Sequence, residues 1–150
     1  SSAQKQPNSF QRFSSQLGES KLSRTSYGVN YSNGEKLNLL DPGVNTTGLG
    51  VSSLIIDGNE DFVRNWKDLT EKVLERTYKV SPENFSSLRV IPEQDVNNYE
   101  KRIREPRQIG DTGFIYESNR SAMDLLRMLI RPAAQIAGFK KVECKVYNRH

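Results

Sequence analysis

The chain has 150 residues, 35% of them hydrophobic and 27% charged, with a net charge of +4 and one cysteine. That length is one domain's worth, enough for a single core once a polar N-terminal stretch is set aside. The lone cysteine excludes an intrachain disulfide, and no apolar run approaches the roughly 20 residues of a membrane-spanning helix.

The charge is unevenly placed. Residues 1–48 hold five basic and three acidic residues, residues 49–99 six and nine, and residues 100–150 eleven and six. An acidic middle beside a basic C-terminal third suggests self-association, an acidic partner or nucleic acid.

Residues 1–24 are rich in Ser and Gln and have little to bury, so they read as an extended polar arm. Phe10, Phe13 and Leu17 sit at helical spacing with Arg12 beside them, the pattern of a short anchor for a partner's groove. Residues 25–48 read as a β-hairpin and linker. Tyr27, Val29 and Tyr31 alternate, Asn33-Gly34 supplies a turn, and Leu37 and Leu39 return. A lone hairpin is marginal in water, so this one should dock on a larger sheet, with Tyr27 and Tyr31 serving the arm in partner contacts.

Residues 49–150 read as the folded α+β domain. Val51–Ile56 is apolar enough for a central strand, and Asp57-Gly58 ends it. Asn59 is then placed to cap a long helix, with Glu60 and Asp61 in the first turn. Phe62, Trp66, Leu69 and Val73 would form its buried stripe, and Asp68 and Lys72 an i,i+4 pair. Leu88–Ile91 reads as a short strand stopped by Pro92, residues 93–112 as a long connection with a short helix from Asp95, and Gly113–Glu117 as another strand.

The clearest stretch runs from Asn119 to Tyr147. Ser118 or Asn119 is placed to cap a helix whose apolar face is Ala122, Leu125, Leu126, Leu129 and Ile130. Pro132 must kink it, Gly138 ends it, and Phe139 folds back on the last turn. Val142, Cys144 and Val146 then alternate with polar residues as a half-buried strand. The order strand, helix, strand, connection, strand, helix, strand predicts a ferredoxin-like (split βαβ) sandwich with the arm and hairpin added. A three-layer α/β sheet is the alternative, if residues 95–104 form a full crossover helix.

Catalytic material is sparse. The one histidine is His150, at the end, and Cys144 falls at an inward strand position. Zinc needs about four ligands and the chain offers two soft ones. Asp57, Glu60 and Asp61 cluster at a strand end but suit capping without a metal. No cofactor is expected, and the reading is non-enzymatic. The leading expectation is a structural or adaptor subunit of a larger assembly, such as a viral or phage particle or a multi-subunit complex. Its arm would lace into neighbouring protein subunits, and its home would be intracellular or inside a particle or organelle, away from disulfide-forming secretion. Four Asn-x-Ser/Thr sequons, at Asn30, Asn45, Asn84 and Asn119, arise readily in a chain this rich in Asn and Ser.

The alternative is RNA or single-stranded nucleic-acid binding. Gly113-Phe114-Ile115-Tyr116 resembles part of the third-strand motif of RNA-recognition domains, which stack bases on strand aromatics. The resemblance ends at Glu117, and Val51–Ile56 offers no companion aromatic. It implies that Phe114 and Tyr116, two apart and so on one sheet face, stack bases. Apart from the resemblance, the basic stretch Lys101, Arg102, Arg104 and Arg107 is placed to contact phosphates, with Glu100 and Glu105 inside it.

Overall fold

The structure, a computed structural model, describes residues 32–98 and 103–149. Among the described residues seven strands fall into two antiparallel sheets. In the first, β1 (Glu35–Asn38), β2 (Leu49–Ile56), β3 (Asn59–Phe62) and β7 (Val142–Asn148) lie in the order β1-β7-β2-β3. In the second, β4 (Ile91–Pro92), β5 (Pro106–Gln108) and β6 (Phe114–Glu117) lie in the order β4-β6-β5. The α+β class is as expected. The single split βαβ sheet and the three-layer α/β alternative are both replaced, because β6 pairs with β4 and β5 instead of joining β2, and every pair is antiparallel.

β7 is one of the two interior strands of the larger sheet. Val142, Cys144 and Val146 of β7 face inward opposite Ile56, Leu54 and Val51 of β2, and Cys144 also meets Leu37 of β1. Leu37 and Leu39 are buried in this core, so the return half of the expected hairpin is seated on the domain sheet. Its other half, with Tyr27 and Tyr31, lies outside the described residues, as do residues 1–24 with Phe10, Arg12, Phe13 and Leu17.

Residues 59–62 correct the sequence reading. Asp57 and Gly58 both have positive φ, 48° and 88°, which is the two-residue turn that matches the twist of a hairpin. The chain therefore folds back as β3 against β2, and the helix starts later, as α1 (Trp66–Val80). Its cap is Asn65, which accepts from the N–H of Asp68 at 2.8 Å, while the Asp68 carboxylate reaches back to the N–H of Arg64 at 3.0 Å. Asn59, Glu60 and Asp61 thus cap nothing. Phe62 is 84% exposed rather than part of the helix stripe, because opposite Ser53 it shares the outer face with Glu60, opposite Ile55. Trp66, Leu69, Val73 and Leu74 do form the buried stripe. Asp68 turns to Arg107, not to Lys72.

The C-terminal helix is continuous in three parts, α2 (Ala122–Leu125), a π-helical turn (Leu126–Ile130) and α3 (Arg131–Ala137). Pro132 has no N–H to give and crowds the preceding turn. The wider turn answers this: the Arg131 N–H bonds the Leu126 carbonyl five residues back. The cap is Ser121, not Ser118 or Asn119, accepting from the Asp124 N–H at 3.1 Å. At the far end Gly138 adopts φ 76°, and the Phe139 N–H reaches the Ala134 carbonyl at 3.0 Å. Leu125, Leu126, Leu129, Ile130, Ala133 and Ala134 pack with α1 on the inner sheet face.

The connection after α1 is mostly 3-10 turns, Pro82–Ser87 and Glu93–Asn98, so no full crossover helix runs through the described part of residues 95–104. The small sheet is tied to α1 by the Tyr116 hydroxyl, which donates to the Lys67 carbonyl at 2.7 Å. Phe85, Tyr78 and Phe114 add an aromatic cluster with ring centroids 5.1–6.2 Å apart.

Candidate nucleic-acid interface

The site expected from sequence is taken apart by the fold. Tyr116 is fully buried, and Phe114 is half-buried against Tyr78 and Phe85. Strand alternation does put both rings on one face, but α1 and the Phe85 turn cover that face, so neither ring is open to a base. Burial also pushes the Tyr116 phenol up, as expected of a hydroxyl out of water. Arg107 is committed to α1, with Glu71 at 2.9 Å and Asp68 at 3.5 Å. Arg104 is exposed, and its backbone N–H is held by Glu117. Lys101 and Arg102 lie outside the described residues.

The acidic cluster at the end of β2 is likewise occupied. The Asp57 carboxylate accepts the N–H groups of Lys140 and Lys141 at 3.1 and 2.8 Å. Glu60 pairs with Lys145 at 3.0 Å, and Asp61 pairs with Arg76. Ser53, followed by Lys145, holds the Glu60 carboxyl below its ordinary value. Cys144 is buried at the centre of the larger sheet, and burial pushes its thiol up to about 12, away from nucleophilic use near neutral pH. No group of three His, Cys, Asp or Glu side chains suited to a metal occurs among the described residues. No helix among them is long and apolar enough to cross a membrane.

A different site emerges at the end of the larger sheet. A groove of about 440 Å³ opens between the start of α1, the start of α2 and the end of β7. Its lining carries four cations, Arg64, Lys67, Arg120 and Arg149, and no carboxylate. Each is delivered by a local feature. Arg64 precedes the Asn65 cap and is 81% exposed, with Asp68 3.7 Å away at its base. Lys67 stands one turn into the chain from it and bonds Glu105 at 2.6 Å. Arg120 precedes the Ser121 cap and donates to the Met128 sulfur at 3.3 Å. Arg149 follows β7, where its N–H bonds the Gly48 carbonyl at 3.1 Å. Lys67, bonded to it, holds the Glu105 carboxyl below its ordinary value.

Two aromatics complete the groove. Trp66 is buried and its indole N–H donates to the Leu49 carbonyl at 2.9 Å, which fixes the floor. Tyr147 lies on the backbone of Gly50, its cross-strand neighbour, and remains 36% exposed. Any Cβ at position 50 would collide with the Tyr147 ring and hydroxyl, so only glycine permits this placement.

None of these groove residues is marked by sequence spacing. Arg64 and Lys67 belong to the net-acidic middle of the chain. The nearest thing to a signal is Asn65 and Asp68, which are spaced as a reciprocal cap and would have placed the helix start beside Arg64. Comparison with known proteins gives no matching family model, no matching curated protein and no matching solved structure.

Proposed function

We propose that this chain is a non-enzymatic binding subunit that holds the phosphate backbone of a nucleic acid in its basic groove. The observation that carries this reading is the convergence of Arg64, Lys67, Arg120 and Arg149 on one concave lining without a carboxylate. Guanidinium forks match phosphate oxygens two at a time, and each neutralised phosphate releases counterions. Asp68 and Glu105 offset part of the charge at the rim, but Asp68 is shared with Arg107 and Glu105 with the Ser118 hydroxyl. Of the expected sheet-face pair, Tyr116 is in the core and Phe114 is half-buried against it.

The test is fluorescence anisotropy of a labelled single-stranded oligonucleotide over a salt series. Four phosphate contacts give a log–log salt slope of about −3, and each Arg→Gln change at position 64, 120 or 149 lowers it by about 0.7. A wild-type affinity that does not respond to salt refutes the reading.

A second reading, the arm-laced subunit of a particle or multi-subunit complex, is favoured by one observation. Phe62 stands 84% exposed on an edge strand of the larger sheet. A large aromatic held out on a sheet edge suits a protein partner. Deletion of residues 1–24 should then leave the domain folded and abolish co-sedimentation with the assembly. Intact assembly after that deletion refutes it.

A further inference from the structure

The four cations would accept any polyanion, so they leave the ligand's form open. The aromatic residues do not. Trp66 is spent on the Leu49 carbonyl and the core. Tyr147 is not: its ring rests on Gly50 and presents the rest of its surface to the groove. Arg149 lies two residues further on the same face of the chain, about 7 Å along it, so a base against the ring leaves its phosphate near the guanidinium. A base inside a duplex is stacked on both faces and has none to offer, whereas an unpaired base does. We infer that Tyr147 is a stacking platform for an unpaired base and that the groove's ligand is single-stranded nucleic acid. Gly50 is the positioning residue, because any side chain there displaces the ring.

This rests on the groove reading above and is tested so that the two can fail separately. Anisotropy is measured with three probes of one length: a base-containing single strand, an abasic strand and a blunt duplex, in ribose and deoxyribose series. Base-containing single strands should bind about five- to 150-fold tighter than abasic ones in at least one sugar series, the span expected for stacking one base. Y147A should bring the two together without changing the salt slope, and Y147F should keep the difference. G50A should behave as Y147A; because a Cβ at this close contact also risks the fold, the Y147A and Y147F pair carries the test. If Y147A leaves base-containing binding at the wild-type level while R149Q weakens it, the stacking role is overturned and the groove reading stands. Tighter binding of the duplex than of the single strand overturns the stacking role as well. If no probe binds in a salt-dependent way, the groove reading falls and this inference with it.

Discussion

Replacing Tyr116 with Phe separates a structural tyrosine from a base-binding one. The ring is fully buried and its hydroxyl donates to the Lys67 carbonyl at 2.7 Å. Removing one oxygen leaves the ring packing in place. The Lys67 carbonyl lies in the first turn of α1, where a carbonyl also accepts from the residue four positions on, so it is not left wholly unpaired. The loss is therefore that of one ordinary buried hydrogen bond, about 1 kcal/mol. For a folding unit of about 115 described residues, with an unfolding entropy of roughly 2 cal/mol/K per residue, that lowers Tm by about 4 °C. Tyr116→Ala removes the ring as well and should cost about 3–5 kcal/mol, a large share of a typical total of 5–15 kcal/mol. Urea and thermal unfolding followed by circular dichroism measure both. Y116F should also bind oligonucleotides as the wild type does. Unchanged stability with weakened binding in Y116F would refute this reasoning, since it would place the ring at a ligand instead of in the core.

Three further outcomes follow from buried or bonded groups. Leu129 is fully buried between the C-terminal helix and the core, so Leu129→Ala should cost about 2–5 kcal/mol in urea unfolding, and a loss below 1 kcal/mol would mean the site collapses without a cavity. Burial raises the Cys144 thiol to about 12, so in the folded state it keeps its proton while the unfolded thiol ionises above its ordinary value of 9.0; stability should fall between pH 9 and 10 by up to about 1 kcal/mol from this group, and C144A should flatten that loss, parallel pH profiles being the refuting result. Partial burial raises the Glu117 carboxyl, but the N–H groups of Arg104, Asn119 and Glu105 outweigh it and hold the group below 4.5; its contribution is present above 4.5 and lost as pH falls through the folded value, so E117Q should make acid unfolding shallower, and an unchanged acid limb would contradict this.

What the sequence disclosed depends on how local the cause is. The C-terminal helix and β7 were legible because period, stop and alternation are all written within a few residues of one another: Leu125, Leu126, Leu129 and Ile130, then Gly138, then Val142, Cys144 and Val146. The cap lies two or three residues beyond the expected one, since Ser118, Asn119 and Ser121 all offer a suitable oxygen and it is Ser121 that accepts from the Asp124 N–H. Residues 59–62 misled for the opposite reason. Asn-Glu-Asp-Phe has helix-start chemistry and poor strand propensity, yet it pairs with Ser53–Ile56 because the Asp57-Gly58 turn returns it there. Pairing of β6 with β4 and β5, and not with β2, is a non-local choice made by Tyr116 and Arg107 docking on α1.

The uneven charge suggests partners, yet much of it is spent inside the chain. The acidic middle and the basic C-terminal third meet each other: Asp68 and Glu71 take Arg107, and Glu60 takes Lys145. A regional sum of charges cannot see this, because it treats each third as a separate surface. The cations that line the groove come from both regions, Arg64 and Lys67 from the acidic third and Arg120 and Arg149 from the basic one. Their grouping follows from the order β1-β7-β2-β3, which sets β7 beside β2, the strand whose Leu49 carbonyl holds Trp66 of the first turn of α1. The groove is thus a product of topology, and substitutions that shift the end of β7 should draw Arg149 away from the other three cations without changing their number.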